Sequence, residues 1–281
     1  MRISGIDFPS IMMGTSVCDY KGNRRSLLKK VEESILFSIK SGKLGYDTAR
    51  DYGNESILGK IFSSLIKKGE ISREDLFITT KVGNNQQRLG DIRHELELSL
   101  KALRLDYLDL WLLHWPLPGH YLDNWKQMCE IYQSGMVKAI GIANCRERHI
   151  LEMEKANVVL PHVIQIEYHP FRTVPRMVQM CKERNIQLEA YSANCLMLPF
   201  VRHNDILTSL AKKYSRTVGQ IIMRWHVQQG VIPIFSSFNK AHIAENINIF
   251  DFELEESDMQ KIFNLNIDYK FHPESLNCFS Y

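Results

Sequence analysis

A chain of 281 residues, 44% hydrophobic and 24% charged, can bury a large core, and a formal net charge of +3 is too small to mark nucleic acid or an anionic membrane as its partner. Six scattered cysteines (Cys18, Cys129, Cys145, Cys181, Cys195, Cys278) make no C-x-x-C pair and no zinc-spaced cluster, which reads as free thiols in a reducing, cytoplasmic compartment. No run approaches the ~18 apolar residues of a membrane span, and the N-terminal MRISGIDFPSIMM lacks the continuous apolar stretch of a signal peptide.

Taken in chain order, β-branched or apolar runs at 10–16 (SIMMGTS), 43–49, 76–82, 107–114, 137–143, 163–168, 187–192 and 231–236 predict eight strands. Helical periodicity fills the gaps. KKVEESILFSIKSG (29–42) puts Val31, Ile35, Leu36 and Ile39 on one face and closes on Gly42, and DIRHELELSLKALRL does the same with Ile92, Leu96, Leu100 and Leu103. Strand and helix alternating eight times, with short connections and no linker, predict a closed (β/α)8 TIM barrel forming a single domain over residues 1–281. An open doubly wound sheet binding a dinucleotide would need G-x-G-x-x-G after an early strand. Neither that nor G-x-x-x-x-G-K-[ST] occurs, and the segment from Gly53 to Lys60 has the wrong spacing.

In such a barrel the carboxyl ends of the strands share one face, where active sites form. Strand two runs into Asp47, with Tyr52 and Asn54-Glu55 just beyond; strand three delivers Lys81; strand four, YLDLWLLHWP (107–116), ends in His114. Strand five ends at Asn144, strand six carries Gln165 and leads to His169, and strand seven ends at Tyr191-Ser192. A buried lysine and aspartate are costly unless paired, and pairing Asp47 with Lys81 satisfies both. An ammonium so held would draw the phenol of Tyr52 from its usual pKa near 10 toward the working range, while His114 orients a bound carbonyl. The set suits proton delivery to a carbonyl oxygen as a hydride reaches carbon.

The segments GYDTARDYGNE, LFITTKV, LDLWLLHWP, AIGIANC, QIEYHPF, EAYS and VIPIFSSFNKAHIAEN, in that order, resemble the aldo-keto reductase superfamily. The resemblance implies a barrel that binds NADP(H) or NAD(H) without a Rossmann motif and reduces an aldehyde or ketone, a sugar or small keto compound among them. The family's Asp, Tyr, Lys and His tetrad falls on Asp47, Tyr52, Lys81 and His114. By the same resemblance Asn144 and Gln165 meet the nicotinamide carboxamide, Tyr191 stacks on its ring beside Ser192, and Glu245 and Asn246 bind the adenine end. Where NADPH-using members usually carry I-P-K-S and a later arginine, this chain has Ser236, Ser237 and His242. A serine and a mostly neutral histidine lack the charge that meets a 2′-phosphate, so relaxed or NADH-leaning cofactor use is expected. Ala143 and Cys145 flank Asn144 where the family has SNF, and ANCLML follows EAYS where SPLG is common, so the loop over the pyrophosphate is expected to differ.

Trp115 and Tyr20 are the expected substrate-pocket aromatics, and a monomer with no metal is expected. Two other readings stay open at this point. One is a metal-dependent hydrolase or lyase using His114, Glu167, His169 and Asp47; the other is a cofactor-binding barrel without turnover, a redox sensor or partner subunit.

Overall fold

Every apolar run expected to be a strand is one. The computed structural model describes residues 2–3, 5–16, 24–42 and 44–272. A short antiparallel hairpin, β1 (Arg2–Ile3) and β2 (Ile6–Asp7), precedes the eight barrel strands. These are β3 (Met12–Gly14), β4 (Gly45–Asp47), β5 (Phe77–Val82), β6 (Leu110–Leu113), β7 (Ile140–Ala143), β8 (Val163–Glu167), β9 (Gln187–Tyr191) and β10 (Ile232–Phe235). Each pairs in parallel with its neighbour, and β10 returns to β3, Ile234 opposite Met12, closing the barrel.

The helices are α1 (Arg24–Ser41), α2 (Glu55–Lys67), α3 (Asn84–Leu89), α4 (Ile92–Leu103), α5 (Tyr121–Gln133), α6 (Glu147–Lys155), α7 (Pro175–Glu183), α8 (Pro199–Arg202), α9 (Asp205–Tyr214), α10 (Val218–Gln228), α11 (Lys240–Ile247) and α12 (Glu256–Phe263). Local chemistry starts and stops them. The Asp91 carboxylate accepts the His94 N–H at 3.1 Å to open α4, and Thr217 and Gln220 cap α10 reciprocally. On α4 the expected face, Ile92, Leu96, Leu100 and Leu103, is buried as a whole; on α1 Val31 and Ile35 are buried while Leu36 and Ile39 are only half-buried.

Strand alternation separates two apolar layers. Leu110, Leu112, Ala139, Ala143, Val163, Ile232 and Ile234 fill the barrel interior, whereas Trp111, Leu113, Ile140, Ile142, Ile164 and Leu188 pack outward with the helices. Phe8, following the hairpin, joins the interior layer and meets Phe77 at 5.6 Å between ring centroids. That end is plugged by apolar side chains, and each fully buried aliphatic or aromatic chain contributes about 1.5–3 kcal/mol. The polar residues of the interior gather at the other end, where the strands terminate.

Candidate active site

Asp47 ends β4 and Lys81 lies beside it in β5. Both are nearly inaccessible, at 4% and 1% exposure. The Lys81 ammonium donates to both carboxylate oxygens of Asp47, at 2.6 and 2.8 Å, and to the Thr48 carbonyl at 3.0 Å. Burial alone would depress the lysine, but the Asp47 carboxylate and then Tyr52 outweigh it, and its pKa is raised. Lys81 is therefore a fixed cation inside the barrel mouth.

Tyr52 is held over that cation by a built turn. Arg50–Tyr52 forms a single 3-10 turn that ends on Gly53 at φ 64°, a left-handed conformation open to glycine at little cost. Asn54 anchors the entry to α2: its amide donates to the Thr15 carbonyl at 2.7 Å and its oxygen accepts from Thr48 at 2.7 Å. Glu55 accepts from the Thr80 hydroxyl at 2.7 Å. The ring centroid of Tyr52 consequently sits 5.2 Å from Lys81 Nζ and 5.9 Å from the His114 ring, edge to face at 80°. All four residues of the expected tetrad converge.

Asn144, just past β7 at φ 60°, donates its backbone N–H to the Gln165 carbonyl at 2.8 Å and its side-chain amide to the His114 carbonyl at 2.9 Å. Its side-chain oxygen accepts the Tyr191 hydroxyl at 2.6 Å. Gln165 is oriented without ambiguity, because its Nε2 donates to Asp47 at 2.9 Å and to Glu189 at 2.8 Å. Flipping that amide would set its oxygen against two carboxyl groups, so Oε1 is the atom available to a ligand. Ser192, at φ 51°, meets His272 Nε2 at 3.2 Å, and the His272 ring lies edge-on to Tyr191.

Beyond β10, Ser236 and His242 are exposed, Glu245 is half-buried, and Asn246 is buried on α11. Ser237 accepts the Asn239 N–H at 3.1 Å and so shapes the entry to α11. Trp115 is buried and borders a cavity of about 220 Å³ shared with Asn144, Arg172, Tyr191 and Lys270. A larger cavity, about 1210 Å³, opens at the opposite end of the barrel among Phe8, Phe77 and Lys138. It contains none of the tetrad, and chemistry rather than volume places the site at the carboxyl end. Tyr20, with Cys18 and Cys278, lies outside the described residues; Cys129, Cys145, Cys181 and Cys195 are unpaired and buried.

The residues of the metal-ion alternative spend their polar atoms elsewhere. Glu167 accepts the backbone N–H groups of Phe271 at 2.6 Å and His272 at 2.9 Å and meets His169 at 3.2 Å, while Asp47 is taken by Lys81 and Gln165. Among the described residues no group of three His, Cys, Asp or Glu side chains is placed to hold a metal ion.

Two acids were not singled out in the sequence. Glu189 reads there as one polar member of an alternating strand, yet it is fully buried and its pKa is pushed up to about 8, by burial first and then by the Asp47 charge. Asp51, inside the YGNE turn, carries no signal of its own and meets His114 at 3.2 Å.

A sequence profile of the Aldo/keto reductase family matches residues 23–194 and 199–267. The chain is 38% identical over 270 residues to a glyoxal reductase of Bacillus subtilis, covering 96% of this chain and 93% of that one. It is 36% identical over 248 residues to a methylglyoxal reductase of Salmonella typhimurium, covering 86% and 88%. Its fold superposes on a Bombyx mori aldo-keto reductase solved in complex with NADP, with a TM-score of 0.89 and 30% identity over 98% of this chain and 95% of that one. With the closed barrel and the Asp47, Tyr52, Lys81 and His114 cluster at its mouth, these matches place the chain in the aldo/keto reductase family, as an oxidoreductase that uses a nicotinamide dinucleotide to reduce an aldehyde or ketone to the alcohol.

Proposed function

We propose that Tyr52 is the general acid of this reductase and that its substrates are small, uncharged α-dicarbonyls and aldehydes of the glyoxal and methylglyoxal type. The observation that carries the assignment is the buried ammonium of Lys81, clamped by both oxygens of Asp47 and lying 5.2 Å from the Tyr52 ring. A cation so placed favours the phenolate that proton transfer leaves behind. Asp47 keeps the lysine in place and offsets its charge. His114, reaching the same spot from the end of β6, orients the carbonyl oxygen. The substrate class is supported by the names of the two bacterial relatives and by the modest cavity beside Trp115.

The donor set fits a nicotinamide dinucleotide. Gln165 Oε1 can accept from the carboxamide, Asn144 adjoins it through the backbone bond between the two, and Tyr191 offers an aromatic face. The reduced nicotinamide supplies the hydride when bound. Tyr52 protonates the oxygen, and Lys81 stabilises the phenolate left behind. Ser236, Ser237, His242, Glu245 and Asn246 would meet the far end of the dinucleotide. Because Ser236 and His242 bring no fixed charge to a 2′-phosphate, we read cofactor use as relaxed or leaning to NADH. We also read residues 1–281 as a single domain acting as a cytoplasmic monomer on small molecules. The small net charge supports this, as do the unpaired buried thiols and the lack, among the described residues, of a helix long and apolar enough to cross a membrane.

Nicotinamide fluorescence titration with NADPH and NADH, followed by turnover on glyoxal, methylglyoxal and simple aldehydes, tests the assignment. Tyr52→Phe is expected to bind dinucleotide as the wild type does and to lose about 10²–10⁴-fold in kcat. Undiminished turnover by Tyr52→Phe would remove Tyr52 from the role; binding without turnover in the wild type would favour the non-catalytic barrel.

A further inference from the structure

His114 has a second acid neighbour besides the phenol: its Nδ1 lies 3.2 Å from Oδ2 of Asp51. Asp51 is the middle residue of the turn that carries Tyr52, so one short turn delivers a carboxylate and a phenol to the same imidazole. The carboxylate has a seat. It packs against Gly83, where an added Cβ would overlap both of its oxygens. Gly83 has an ordinary φ of −77°, so backbone conformation does not demand glycine there; the missing side chain leaves the room that Asp51 occupies. Arg50, the preceding residue, turns away toward Glu55 at 3.6 Å and Glu95 at 3.5 Å and does not compete for the carboxylate.

An ionised carboxylate only accepts hydrogen bonds. The nitrogen that meets it must carry a proton, which fixes the tautomer of the neutral ring. We propose that Asp51 is a positioning residue for His114: it holds the ring with Nδ1 protonated and turns Nε2 toward the reacting oxygen. A neutral His114 then presents a lone pair to the hydroxyl of an alcohol, and a protonated His114 presents an N–H to the oxygen of a carbonyl. Tyr52 meets the ring edge to face, Asn144 donates its side-chain amide to the His114 carbonyl at 2.9 Å, and Lys81 and Asp47 are engaged with each other. The inference rests on the assignment of His114 to the reacting oxygen.

Long-range 1H–15N correlation of the 15N-labelled enzyme, at a pH where the ring is neutral, reports the tautomer directly, with the His114 signals identified by their loss in His114→Gln. The expected wild-type spectrum shows Nδ1 protonated and Nε2 bare. Asp51→Val should shift the population toward the Nε2-protonated form with the dinucleotide KM unchanged. Gly83→Ala, which displaces the carboxylate without touching the imidazole, should move the spectrum in the same direction. A wild-type His114 protonated on Nε2, or a tautomer indifferent to Asp51→Val, overturns the proposal; the first of these readings needs no change at Asp51 or Gly83. Activity of Tyr52→Phe separates the two levels. If that variant is inactive while His114 ignores Asp51, this proposal alone fails; if it is fully active, the site assignment fails with it.

Discussion

Replacing Glu189 by Gln should make the protein more stable at alkaline pH. The carboxyl lies wholly inside the barrel, accepts one hydrogen bond from Gln165 at 2.8 Å, and leaves Oε1 without a hydrogen-bond partner. Burial raises its pKa from the ordinary 4.5 to about 8. The folded protein therefore keeps a proton that the unfolded chain releases. Stability tied to that proton is complete below about 4.5 and is lost as pH rises through about 8. At about 1.36 kcal/mol per pH unit, the gap corresponds to a loss on the order of 5 kcal/mol. Glutamine preserves an oxygen for Gln165 Nε2 and cannot ionise, so the variant should escape the loss. Urea unfolding of both proteins at intervals from pH 5 to pH 9 measures it, read as the difference between wild type and variant. The difference matters because His149 and His226, whose pKa values burial lowers to about 4, push stability the other way below pH 6.5 in both proteins. Two curves that run parallel from pH 5 to pH 9 would refute the reasoning and mean that Glu189 is ionised throughout.

Two further outcomes are expected, one inside the barrel and one at its exposed rim. Lys81→Met leaves Asp47 a buried carboxylate with only the Gln165 amide, and should cost about 3–5 kcal/mol in unfolding free energy together with nearly all turnover; unfolding midpoints and kcat measured on one preparation check both. Ser236→Lys adds a charge-assisted donor worth about 1.5–3 kcal/mol where a 2′-phosphate is expected, and should raise the ratio of NADPH to NADH affinity at least tenfold; parallel fluorescence titrations with the two dinucleotides decide it, an unchanged ratio counting against the assignment of Ser236.

The barrel was legible because its strands are buried on both faces and read as nearly unbroken apolar runs, LWLL and IGIA among them, each followed by a helical period. The cluster at the barrel mouth was legible because a lysine, an aspartate and a histidine at the ends of such runs are anomalous and need one another. The β1–β2 hairpin left no comparable trace, since two-residue strands are too short for alternation to register. Glu189 was hidden for a different reason. In QLEAY a glutamate flanked by Leu188 and Ala190 looks like the solvent side of a half-buried strand, and only closure of the barrel turns that side into the interior. Asp51 depends on a contact 63 positions away along the chain, with His114, and on the space left at Gly83, neither of which a local pattern encodes. Glu167 attracted notice as a metal ligand beside His169; its engagement by the backbone of Phe271 and His272 joins positions about a hundred residues apart, which spacing could not foretell.

That last engagement bears on how the protein can be handled. The hairpin and the segment at Phe271 and His272 are not equivalent places to alter. The N-terminal hairpin leads into the plugged end of the barrel, far from the chemistry, whereas the C-terminal segment passes through the carboxylate of Glu167 and brings His272 against Tyr191 and Ser192. A substitution or label at Phe271 or His272 bears directly on Glu167, Tyr191 and Ser192. One in the hairpin bears instead on Phe8 and the plugged end, away from those residues.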